Sequence, residues 1–409
     1  MSKGDSKFGT FGGVFVPNVL TILGVILFLR SGWVVGNAGL GNAILMLCLA
    51  NAVTLISTLS LSAIATNTRA QGGGAYFLVS RSLGLEFGGS IGMPLYLAQA
   101  ISVAFYIVGF TESALYLFPD LNERFLSLGV LGALFAVAWF GAGIAIRAQY
   151  LILATLFLAL ASFFAGFDLQ ENWQANLRSD FQEGQSFWTV FAIFFPAVTG
   201  IMSGVSMSGD LRNPTRSIPK GTLWAVGFTF VVYLLQIVWL ALMGERSELQ
   251  DNRLVMQDLS IFPPLIIAGL WAATLSSALA SLVAAPRTLQ ALAKDRVLPR
   301  FLSKGSGKGN EPRIALVASA SIALACVLLG DLDLIALMIS MFFLATYGAV
   351  NLVAGLERWT GNPSYRPTFK VHWVISLAGA LACFAIMLLL NPIAATQPFA
   401  LLRRGGLQL

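Results

Sequence analysis

Runs of about 20 apolar residues, the length an α-helix needs to cross a hydrocarbon core of about 30 Å, recur from Phe11 nearly to the C-terminus. A water-soluble core cannot absorb them. Of 409 residues, 57% are hydrophobic and only 11% charged, against roughly 25% charged in soluble domains. The pattern predicts eleven membrane spans: 11–35, 41–65, 88–117, 128–146, 150–167, 186–208, 221–243, 261–292, 314–329, 334–356 and 372–390. The N-terminus is short and polar and lacks a small-residue cleavage site, so the first span reads as a retained helix and not a signal peptide.

Orientation follows from the positive residues, which cytoplasmic loops retain. With the N-terminus inside, 18 of the 25 Lys and Arg residues fall on the cytoplasmic side. Six, Arg124, Arg178, Arg246, Arg253, Arg403 and Arg404, fall outside, and Arg30 lies within the first span. The expected location is the plasma (inner) membrane. The final Arg pair runs against the rule. A net charge of +6 invites a nucleic-acid reading, but the excess clusters between Arg287 and Arg313 at a membrane face, so topology accounts for it and no nucleic acid is expected. Cys48, Cys326 and Cys383 all sit inside spans, which implies no external disulfide framework. The single histidine, His372, lies at a span boundary and cannot build a metal site.

Two spans carry glycine beside polar groups at mid-span: PNVLTILGVI from Pro17 in the first and FPAVTGIMSG from Phe195 in the sixth. They stand five helices apart. That spacing fits an inverted repeat of five plus five helices, 11–167 and 186–356, with 372–390 as an additional helix in a single transport domain. A break frees carbonyls that coordinate cations and exposes amides at a half-helix N-terminus that hold anions. Free backbone at membrane depth is tolerated only around a cavity. Kinked packing helices are the alternative explanation for either break alone.

At these segments the chain resembles the cation-chloride cotransporter family of the amino acid, polyamine and organocation superfamily. The likeness rests on GVILFLRSGWVVGNAG from Gly24, SAIATN from Ser62, GGGAYFLVSRSLGLEFGG from Gly72 and FYIVGFTES from Phe105. In the second half it rests on FFPAVTGIMSGVSMSGDLRNPTRSIPKGT from Phe194, ATLSSALASLVAAPRTLQALAKD from Ala273 and FFLATYGAVNL from Phe342. The resemblance implies an all-α integral membrane protein of the leucine-transporter type, helices 1 and 6 broken, that carries sodium, potassium and chloride by alternating access.

Residue by residue, it implies a potassium site at Thr21, Ile22, Tyr106, Pro196 and Thr199. A ring of neutral oxygens suits a large cation with weakly held water. It implies a sodium site at Leu20, Leu23, Ala273, Ser276 and Ser277; the serine pair marks the sodium-coupled branch. Two chloride sites are implied, one at the amides of Gly24, Val25 and Ile26, the other at Gly200, Ile201, Met202 and Tyr347. Arg30 and Glu112 match the extracellular gate pair and Asp210 the cytoplasmic gate, whose lysine partner is replaced by Gly12. Thr21 also departs from the family's asparagine.

The family carries a twelfth helix and a large cytoplasmic C-terminal domain involved in dimerisation and regulation. The expectation here is a short, prokaryotic-type form without that domain; a homodimer is kept as an expectation. No enzyme and no cofactor is expected; the partners are the bilayer and small inorganic ions. The alternatives are an amino acid permease of the same superfamily, potassium-chloride cotransport without sodium, and a pore.

Overall fold

The computed structural model describes residues 8–67, 74–140, 143–167, 170, 173–306 and 310–390. The apolar helices among them are α1 (Phe11–Leu29), α2 (Ser31–Asn67), α3 (Leu85–Leu117), α4 (Glu123–Phe140), α5 (Gly143–Ala165), α6 (Phe187–Ser206), α7 (Pro214–Met243), α8 (Pro263–Lys294), α9 (Arg313–Val327), α10 (Leu332–Thr360) and α11 (Trp373–Leu390). Ten are long and apolar enough to cross a membrane. The exception is α9, whose 15 residues fall short of the lower bound of about 17. The eleven expected spans therefore stand as ten spans and one shorter helix.

The chain is an integral membrane protein whose rim is built for lipid. Phe140 is 87% exposed and Leu381 72%, and large apolar side chains of this kind line the outer helices, where water would disfavour them. Burial sorts the helices. The spans of α1, α3 and α6 are 83%, 89% and 83% buried, whereas that of α4 is 11% buried. The two interrupted helices thus lie at the centre, wrapped by the rest.

Packing follows the symmetry that the repeat predicts. A two-fold relating α1–α5 to α6–α10 pairs α2 with α7 and α3 with α8, and both pairs are in extensive contact. It also converts the α3·α10 contact into α8·α5, and these are likewise among the principal interfaces. An inverted repeat produces that correspondence directly.

Helix boundaries depart from the hydropathy in two instructive places. A further short helix, Gly74–Leu83, precedes α3. Residues 143–149, which hydropathy left out of the fifth span, are helical, and Gln149 among them donates from Nε2 to the Gly12 carbonyl at 2.8 Å. Start signals elsewhere are ordinary caps. The Ser186 hydroxyl accepts from the Thr189 amide at 3.2 Å, and Asp331 accepts from the amides of Asp333 and Leu334.

The helix following the first break runs on through Ser31 and bends at Gly39, whose φ of +69° favours glycine. A Cβ there would also fall on the carbonyl of Arg178. Gly39→Ala is therefore expected to cost about 1–3 kcal/mol, read as a lowered midpoint of thermal unfolding in detergent. An unchanged midpoint would show that the bend relaxes.

Candidate functional site

In α1, the helical segment Val16–Ile22 ends at Leu23 (φ −84°, ψ 56°) and a new turn starts after Gly24 (φ −107°, ψ −138°). In α6, Phe187–Phe194 tightens to a 3₁₀ turn at Phe195–Val198, then Thr199 is extended and Gly200 has φ +107° before Met202–Ser206 resumes. Both interruptions fall where glycine marked them. They also face each other: a Cβ on Gly200 would lie 2.8 Å from Cγ2 of Thr21 and 3.3 Å from Cγ1 of Ile22.

Of the residues assigned to potassium, Thr21, Ile22, Pro196 and Thr199 line these two breaks, and buried Tyr106 lays its ring near Gly24, 3.5 Å from a Cβ there. The Pro196 carbonyl accepts from both the Thr199 hydroxyl (2.8 Å) and its amide (3.2 Å), and the Thr21 hydroxyl donates to the Pro17 carbonyl at 2.8 Å. Each hydroxyl is thereby oriented by a carbonyl of its own helix, a usual role of Ser and Thr in apolar helices. Of the residues assigned to sodium, Ser277 and Leu20 meet across helices. Ser277 donates across to the Leu20 carbonyl at 3.4 Å, Ser276 to Ala273 at 3.0 Å, and the Tyr106 hydroxyl faces Ser277. Leu23 is fully buried at the end of the α1 half-helix.

Gly24, Val25 and Ile26 open the second half of α1, and Gly200, Ile201 and Met202 open the second half of α6, so both amide runs sit at half-helix starts, where backbone N–H groups lack helical acceptors. The Tyr347 hydroxyl, on α10, is wholly buried, lies beside the Gly200 backbone and has no hydrogen-bond partner among the described residues. A buried orphan donor next to free amides is a place for an anion.

At the far end of α1, Arg30 is 4% exposed and fully engaged. It holds Glu112 through two nitrogens at 2.8 and 3.0 Å, and its Nε meets Asp333 at 2.6 Å. Asp333 in turn lies 3.8 Å from Arg253, which stacks over Trp33. Burial and the neighbouring Arg30 charge together lower the pKa of Arg253. Of the remaining gate residue, Asp210, only the backbone turn Ser208–Asp210 is described; its side chain lies outside the described residues. The Tyr150 hydroxyl fills the space where a side chain at Gly12 would begin, so that position has no room for a lysine while Tyr150 stays.

Four residues that matter here escaped the sequence reading. Asp333 stands in the first turn of α10, where Asp331 is the cap, which leaves Asp333 for Arg30. Tyr233 donates to the Ile22 carbonyl at 2.9 Å and Gln236 to the Leu27 carbonyl at 2.6 Å, one on each side of the α1 break. Their i, i+3 spacing in an otherwise apolar span was a signal, since it puts two polar groups on one face. Asn18 is the fourth.

Two half-helices facing each other at the buried centre of a bundle with ten spans among the described residues, with carbonyls and hydroxyls on one side of each break and amides on the other, define a broken-helix membrane fold. The chain belongs to the amino acid permease family, whose profile matches residues 13–401. Among relatives it is 39% identical to solute carrier family 12 member 2 of Mus musculus, over 95% of this chain and 38% of that protein. The figures for the Homo sapiens member 2 are 39%, 95% and 37%, and for Mus musculus member 1 they are 38%, 95% and 41%. The chain thus spans about two fifths of the length of the curated relatives it matches.

Proposed function

We propose that the protein is a secondary active symporter that couples sodium, potassium and chloride movement across the membrane by alternating access, with its N-terminus on the cytoplasmic side. The observation that carries this reading is the meeting of the two breaks, Thr21 against Gly200, with neutral oxygens gathered on one side and free amides with the Tyr347 hydroxyl on the other. Cations at Thr21, Ile22, Tyr106, Pro196 and Thr199 and anions at the two amide runs would sit close enough to stabilise one another in a low-dielectric core. Only the loaded site then closes at low cost. On the outer side, the Arg30, Glu112 and Asp333 cluster supplies the closure, since opening it must separate charges of which Arg30 is almost wholly buried.

The relatives' names, members of solute carrier family 12, accord with a carrier. The competing reading, an amino acid substrate, would place a carboxylate on the amides after Gly24 and needs room beside them. Tyr106 against Gly24 and Val25 against Gly109 leave little. The deciding measurement is rubidium uptake into proteoliposomes as a potassium surrogate. Uptake that requires external chloride is the expected result, and amino acid uptake indifferent to chloride would overturn the proposal. Sodium rests on Ser276 and Ser277: the double Ser→Ala substitution is expected to abolish sodium-stimulated rubidium uptake, and full retention of the stimulation would remove the sodium site from these two serines.

A further inference from the structure

Asn18 lies one turn before the α1 break, is wholly buried, and makes two long-range hydrogen bonds that no other side chain in α1 duplicates among the described residues. Its Oδ1 accepts from the backbone amide of Gly204 at 2.7 Å, and its Nδ2 donates to the Thr222 hydroxyl at 3.3 Å. The assignment of the amide is fixed by chemistry, because a backbone N–H can only donate. Gly204 belongs to the half-helix Met202–Ser206, whose start carries the amides of Gly200, Ile201 and Met202. The Gly200 carbonyl, the natural acceptor for the Gly204 amide in an α-helix, is taken instead by the Ser203 amide at 3.0 Å. Asn18 supplies the missing acceptor.

Contact is close as well as polar. A Cβ on Gly204 would lie 2.7 Å from Cγ1 of Val14, and one on Gly221 of α7 would lie 2.6 Å from Cβ of the same residue. The first half of α1 is therefore seated between the second half of α6 and α7, with Asn18 bonded to both. One turn further along α1 lies Thr21, whose side chain meets Gly200. The half-helix that presents the anion-holding amides is thus held at two points by the half-helix that presents the cation-holding carbonyls.

We infer that Asn18 is a positioning residue that couples the two sites: occupation of the cation site fixes the end of the α1 half-helix, and the Asn18 to Gly204 bond passes that placement to the amides at Gly200, Ile201 and Met202. The inference deepens the proposed function and rests on it. Cation and anion then raise each other's affinity by a common factor, as linkage requires.

The test is equilibrium rubidium binding to the purified full chain, with chloride and with an impermeant organic anion in its place. In the unaltered protein chloride is expected to tighten rubidium binding by roughly fivefold or more. Asn18→Leu removes the acceptor for Gly204 and is expected to bring that factor close to one while rubidium still binds as before without chloride. Thr222→Val keeps the acceptor and is expected to retain the factor. Should Asn18→Leu fail to fold, Asn18→Ala cuts the same bond without added bulk and reads the same quantity. An unchanged factor in the Asn18 variants overturns the inference. So does an equal loss of rubidium affinity with and without chloride, which would make Asn18 mere scaffolding for the cation site. Absence of any chloride effect in the unaltered protein would instead sink the proposed function itself.

Discussion

Arg30→Met is expected to destabilise the protein by about 3 kcal/mol and to abolish chloride-dependent rubidium uptake. The guanidinium is 4% exposed and holds two carboxylates, Glu112 at 2.8 Å and Asp333 at 2.6 Å. Removing one partner of a buried ionic cluster costs about 3–5 kcal/mol, because the charges left behind lose their compensation. Glu112 and Asp333 are each 29% exposed, so water recovers part of that loss and the lower end of the range applies. The same principle makes the triple variant Arg30→Met, Glu112→Gln, Asp333→Asn recover most of the stability, since the one charge that loses its partner is Arg253, 3.8 Å from Asp333 and 35% exposed. Thermal unfolding in detergent measures both. A triple variant as unstable as the single one would mean that the cluster holds the helices by packing and not by charge. Uptake is expected to stay lost in the triple variant if the cluster acts as the proposed closure, because its ion pairs are gone.

Gly200→Ala carries the second large effect. With φ at +107°, position 200 lies where an L-residue is strained by about 1–3 kcal/mol. Its new methyl would sit 2.8 Å from Cγ2 of Thr21, and overpacking a filled site adds about 1–3 kcal/mol. Together these place the cost at roughly 3 kcal/mol in the arrangement in which the two breaks touch, which corresponds to about two orders of magnitude in its population. Rubidium uptake is expected to fall accordingly. Gly24→Ala serves as the comparison, since φ there is −107° and the nearest atoms to a Cβ lie at 3.2 and 3.5 Å. It is expected to retain much more transport than Gly200→Ala. Equal losses at the two positions would show that any side chain near a break blocks movement, whatever its backbone angle.

The glycines themselves were legible before any coordinates. Gly24 and Gly200 stand out because a membrane helix has no need of glycine beside Thr and Pro at mid-span, and each proves to sit where the helix stops and restarts. The spans were legible for the same reason: a bilayer demands long apolar runs, and the chain supplies them in order. Ends were less so. Hydropathy placed the fourth span at 128–146, whereas residues 143–146 already belong to the fifth helix, Gly143–Ala165. The Arg30 and Glu112 pair could be named in advance on resemblance, but Asp333 could not, since an acid near a helix start has a sufficient local reason to be there.

The sequence by itself determined a polytopic helical membrane protein with two interrupted helices five spans apart, because apolar length and glycine placement act locally and one-dimensionally. Only the tertiary structure decided that the two breaks touch at Thr21 and Gly200, that Arg30 is shared between Glu112 and Asp333, and that Asn18 closes on Gly204. Each of those pairs is separated by between 82 and 303 positions. Residues so far apart in the chain are joined by helix packing, and an apolar span carries no local mark of which neighbour each of its faces will meet.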